Sequence, residues 1–170
     1  FKNTITISSK DTNGNTALML AVKYNINEKV TQYLCNTFKN TIKINTQNDD
    51  GYTALMLAIQ YNTNDKIIQY LCDTFKNTIN INTQNNDGNT ALMLAIEYNT
   101  NEQLMQYLCN MFKNTIKINT QNQNGNTALM LAIRKSNIDG VKYICITFKD
   151  TIDITKRNAD GYTAFTLAAQ

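Results

Sequence analysis

Apolar residues in this chain follow two rhythms inside a longer one. In the stretch 54–61, Leu55, Leu57, Ala58 and Ile59 crowd one short segment bounded by Thr53 and by Asn62-Thr63-Asn64. Thr53 can accept from the first free amides, so a helix is predicted over 54–61. Asn62-Thr63-Asn64 breaks it, and Thr63 or Asn64 can cap the next. Ile67, Ile68, Leu71, Cys72 and Phe75 then recur at steps of three and four, which predicts a second, amphipathic helix. Ile79 and Ile81 alternate with polar residues and predict a short extended leg. Asn48-Asp49-Asp50-Gly51 is turn chemistry, with a glycine able to take positive φ.

This turn–helix–loop–helix pattern is itself periodic. Gly recurs at 14, 51, 88, 125 and 161, with steps of 37, 37, 37 and 36. Cys at 35, 72, 109 and 145 and Phe at 1, 38, 75, 112 and 148 keep the same step. Thr-Ala-Leu-Met-Leu-Ala stands at 16–21, 53–58, 90–95 and 127–132, with a fifth version at 163–168. The apolar area of one such unit falls short of the entropy lost in ordering it. Stacked neighbours must supply the rest, as in a solenoid.

Gly-x-Thr-Ala-Leu-Met-Leu-Ala, a second helix, and Ile-Asn before the next Asx-rich turn resemble an ankyrin repeat. The resemblance spans the whole chain: a partial repeat 1–7, full repeats 8–44, 45–81, 82–118 and 119–154, and a partial repeat 155–170. It implies an all-α ankyrin-repeat solenoid of stacked helix–loop–helix units joined by β-hairpin-like turns. Both ends read as cuts through a longer array. Three departures from the family pattern stand out. Thr-Ala-Leu-Met replaces the usual Thr-Pro-Leu-His, which removes a pre-organised first position and puts apolar Met56 where a hydrogen-bonding ring would be. The unit is also longer than the usual ~33 residues. One extra residue falls in the loop at 62–64, and three follow the second helix, which is therefore predicted to run a turn longer and to bury Phe75.

Composition removes several kinds of chemistry. There is no His, Pro or Trp, so the usual general base and the commonest metal ligand are missing. No catalytic residue, metal site or cofactor is expected. The longest apolar run is six residues, far below the roughly 20 of a spanning helix. Sixteen basic against 13 acidic residues is too balanced to favour nucleic acid or a membrane surface. The 27 asparagines read as the product of an AT-rich coding sequence. The four cysteines lie one per repeat. Stacked helices sit roughly 8–10 Å apart, beyond the roughly 7 Å Cα reach of a disulfide. Buried free thiols and a reducing, intracellular (cytoplasmic) setting are the expectation. Met19, Met56, Met93 and Met130 read as packing between repeats. The lysines at 2, 39, 76, 113 and 149 read as solvated helix ends, and Asp49, Asp50, Asp87 and Asp160 as turn formers.

The resemblance also implies a non-catalytic scaffold that binds a partner protein on its concave side. The partner positions carried over are Asn15, Lys23, Tyr24, Asp49, Asp50, Tyr52, Gln60, Tyr61, Asn89, Glu97, Tyr98, Asn126, Arg134, Lys135 and Tyr162. Tyr52, Tyr61, Tyr98 and Tyr162 are the expected anchors, because tyrosine is large and amphipathic. Two alternatives remain open at this stage. One is a spacer or self-assembling array that associates through repeat stacking. The other is a targeting region attached to a catalytic domain elsewhere.

Overall fold

The computed structural model describes residues 6–24, 27–61, 65–98 and 102–170. Its contacts divide into two compact units, 1–80 and 81–170. The first holds α1 (Ala17–Tyr24), α2 (Glu28–Phe38), α3 (Ala54–Tyr61) and α4 (Asp65–Phe75). The second holds α5 (Ala91–Tyr98), α6 (Glu102–Phe112), α7 (Ala128–Arg134), α8 (Ile138–Thr147) and α9 (Ala164–Ala168). In unit 1, α1 packs on α3 and α2 on α4, while each first helix pairs with its own second helix. Unit 2 repeats the scheme: α5 on α7, α7 on α9, and α6 on α8. Among the described residues no helix is long and apolar enough to cross a membrane.

The first helices begin where the threonines predict. The Met56 amide donates to Thr53 Oγ1 at 3.3 Å, and that of Met130 to Thr127 Oγ1 at 3.3 Å. The methionines are 1% exposed, so they do pack between repeats. They also do something the sequence reading did not assign. The backbone N–H of Thr127 points at Met130 Sδ (3.5 Å), and Thr16 and Thr90 do the same to Met19 (3.3 Å) and Met93 (3.5 Å). The thioether thus serves as a weak acceptor at the third helical position and closes a capping box.

The second helix ends as expected at Phe75, which is buried. The amides of Thr78 and Ile79 both donate to its carbonyl at 2.9 Å and turn the chain away. The expected cap at Thr63 or Asn64 lies outside the described residues. In the shorter fourth repeat the connection is described. Ser136 takes φ 54°, and Asn137 Oδ1 accepts from the Gly140 amide at 2.7 Å to start α8.

The extended leg is not a strand. Residues 81–82 form a turn, and among the described residues the one bridge of β type joins Lys10 and Thr16. Asparagine carboxamides take the place of strand pairing. Asn45 Nδ2 donates to the Thr78 carbonyl (2.7 Å) while its Oδ1 accepts from the Asn80 amide (2.8 Å). Asn82 does the same with Thr115 and Lys117, and Asn119 with Thr151 and Asp153. One carboxamide thus satisfies a donor and an acceptor of the neighbouring leg.

The interior is apolar and nearly fully satisfied. In unit 2 Leu92, Met93, Met105, Cys109, Leu129, Ile144 and Phe148 belong to one cluster. In unit 1, Thr31 on α2 is 1% exposed and its hydroxyl has no partner. All four thiols are free. Cys35, Cys72 and Cys109 are buried, whereas Cys145 is half-exposed. Burial pushes the Cys35 thiol up to about 11 and the Cys72 and Cys109 thiols up to about 12, which suppresses the nucleophilic thiolate.

Candidate functional site

Each repeat opens with a tight turn whose closing glycine has φ between 71° and 83°. In the second repeat the Asn48 amide donates to the Tyr52 carbonyl (3.0 Å) and the Gly51 amide to the Asn48 carbonyl (2.9 Å). Asn48 Oδ1 accepts from the Tyr52 amide at 2.8 Å. Asn85, Asn122 and Asn158 play the same part in unit 2. The first repeat uses a carboxylate instead. Asp11 Oδ1 accepts from the amides of Asn15 (2.8 Å) and Asn13 (2.9 Å), and the Asn15 bond is the main reason its carboxyl sits below the usual range.

Neighbouring tips are then tied together. The Asp49 amide donates to the Asn13 carbonyl at 3.1 Å, and that of Gln123 to Asp87 at 2.9 Å. Close approach demands glycine: a Cβ on Gly88 would lie 2.7 Å from the Gln123 nitrogen, and one on Gly125 2.8 Å from that of Ala159.

The expected partner positions fall into three groups. Asn15, Asn89 and Asn126 are buried, at 4%, 8% and 3% exposure. Their carboxamide oxygens accept from Asn48, Asn122 and Asn158 at 2.9, 2.9 and 3.1 Å, so these side chains join hairpins from within. Tyr52, Lys23, Gln60 and Glu97 are half-buried. Asp49, Asp50, Tyr24, Tyr61, Tyr98, Arg134, Lys135 and Tyr162 are exposed.

Two sets are brought together. In unit 1 the Lys23 ammonium lies 5.2 Å from the Tyr61 ring centre and 5.8 Å from that of Tyr24. Both rings remain about half exposed or more, so one cation is shared by two accessible aromatic faces. In unit 2 a concavity of about 320 Å³ is lined by Arg134, Tyr162, Asp160 and Leu167, among others. Asp160 and Leu167 were not expected there. The step of 37 residues, which sets Lys23 beside Gln60 in register, gives no such guide to a pair 28 apart like Arg134 and Tyr162.

The family model for ankyrin repeats (3 copies) matches residues 2–85 and 74–158. Two solved structures share the fold. One is a chain from the complex of the predatory endopeptidase Bd0816 of Bdellovibrio bacteriovorus with immunity protein Bd3460. It is 24% identical with a TM-score of 0.75, over 99% of this chain and 80% of that one. The other is the ankyrin repeat domain of Bcl-3, a member of the IkappaB protein family. It is 21% identical with a TM-score of 0.72, over 96% of this chain and 67% of that one. No protein of curated function matches.

Proposed function

The chain belongs to the ankyrin-repeat family, and from that premise we propose that it is a non-catalytic module that grips a partner protein. Ankyrin repeats generally mediate protein–protein interaction, and the fold is typically non-catalytic. The proposed surface is the side formed by the hairpin tips and the exposed flank of the first helices, the concave side in this family. The observation that carries the reading is the Lys23–Tyr24–Tyr61 arrangement, two exposed rings and a cation held on the ends of packed helices. Aromatic anchors on a rigid scaffold lose little entropy on binding. Asp49, Asp50 and Tyr52 extend this surface in unit 1, and Glu97, Tyr98, Arg134, Lys135 and Tyr162 supply its counterpart in unit 2. The carboxamides of Asn15, Asn89 and Asn126 act beneath it by holding the tips. An intracellular setting belongs to the same reading, supported by three thiols buried in the free state.

The test is the double variant Tyr52→Ala/Tyr61→Ala, measured by calorimetry against a partner captured on the wild-type chain. At least a tenfold loss of affinity, about 1.4 kcal/mol, with unchanged helical circular dichroism is the expected result. Undiminished affinity would sink the assignment of this surface.

A further inference from the structure

Within each unit two consecutive legs that follow second helices leave an open groove between them. In unit 1 the groove measures about 850 Å³ and in unit 2 about 760 Å³. Both fall at the same phase of the repeat. The first is lined by Lys39, Lys43 and Lys76 against one acid, Asp73. The second is lined by Lys113, Lys117, Lys149 and Lys156 against one acid, Asp150. None of these lysines lies within 4.0 Å of a described carboxylate, although Lys156 acts electrostatically on Asp153. From sequence they read as solvated helix ends; the fold gathers them around a cleft. Its walls are apolar between the charges: Ile42 is half-buried in the first groove, and Ile146 is 74% exposed in the second.

We propose that these grooves are a second docking surface, for an extended acidic segment of a partner protein. Carboxylates along such a segment meet the lysines, and the apolar side chains between them meet the isoleucines. An extended chain points its side chains to opposite faces in turn, so carboxylates and apolar groups of one segment can reach both walls of a groove. Single-stranded nucleic acid fits less well. It is gripped by stacking on exposed rings, whereas Phe75 and Phe148, the rings lining the grooves, are 5% and 4% exposed. The surface is distinct from the tyrosine-bearing helix flank, so it stands or falls separately.

The probe is a fluorescein-labelled peptide of Glu-Leu-Glu-Ser repeated three times, titrated with the full chain and read by anisotropy. Saturable binding that weakens as salt rises is expected. Exchanging Lys39, Lys76, Lys113 and Lys149 together for Gln should weaken it about tenfold, and for Glu abolish it. Tyr61→Ala should leave it unchanged. Circular dichroism checks folding, and the Gln set keeps the test decisive should the Glu set unfold. The proposal is overturned by absence of binding to the wild-type chain at low salt, by unchanged binding to the Gln set, or by equal competition from polyphosphate or single-stranded DNA of matched charge.

Discussion

The first and second helices of a repeat obey different rules. In α3 and α5 all six residues of Ala-Leu-Met-Leu-Ala-Ile are buried, so there is no solvent face until the last turn. In α4 one stripe is buried, made of Ile67, Ile68, Leu71, Cys72 and Phe75, and the opposite side is polar. A helix enclosed on every side can change little without a cavity or a clash. That accounts for the nearly verbatim first helix. An amphipathic helix has room to vary on its solvent side: the exposed position held by Asn36 in α2 is Asp73 in α4, Asn110 in α6 and Ile146 in α8.

Truncation separates the two helix types most sharply. Leu94→Ala, in the buried run of α5, should cost about 3 kcal/mol in urea-induced unfolding. Tyr33 on α2 is 66% exposed, and its alanine variant should move stability by no more than about 0.5 kcal/mol. Equal losses would erase the distinction. A smaller effect has the opposite sign. Thr31→Val removes a buried hydroxyl that has no partner and should stabilise the chain by about 1 kcal/mol, seen as a higher unfolding midpoint. The smallest effect lies on the polar side of the second helices. The Tyr70 hydroxyl donates to Asn36 Oδ1 at 2.7 Å. Because that bond is exposed to water, Tyr70→Phe should cost at most about 0.5 kcal/mol.

Much of this fold is written locally. Thr53 and Thr127 mark helix starts because a cap is made within four residues. Phe75 marks the longer second helix because its spacing from Leu71 continues the apolar stripe. Local pattern says less where a group is satisfied across repeats. Ile79 and Ile81 alternate like a strand, yet Asn45 supplies the leg's bonds from 33–35 residues away. The abundance of asparagine reads as composition, although three phases of it close turns, join hairpins and clamp legs. For the same reason Asn15, Asn89 and Asn126 resemble surface residues in one dimension and lie inside in three. Lys23 and Tyr61 are 38 residues apart, one repeat and one position, so their meeting follows from the period once stacking is granted. The concavity beside Arg134 joins residues of two repeats, Arg134 with Asp160, Tyr162 and Leu167, at separations that the period does not single out.

The carboxamide bonds between hairpins also bear on how such a chain can change over generations. Asn48 to Asn15, Asn122 to Asn89 and Asn158 to Asn126 are the same bond formed in three places. A third or fourth repeat duplicated whole, with Asn85 and Asn89 or Asn122 and Asn126, brings one donor and one acceptor together, so the new junction finds its partner already in place; the second repeat, with Tyr52 at the acceptor position, does not. Length can therefore drift by such repeats with little penalty at the seam, and a single residue can be lost from the loop between helices, as in the fourth repeat, where Asn158 still reaches Asn126.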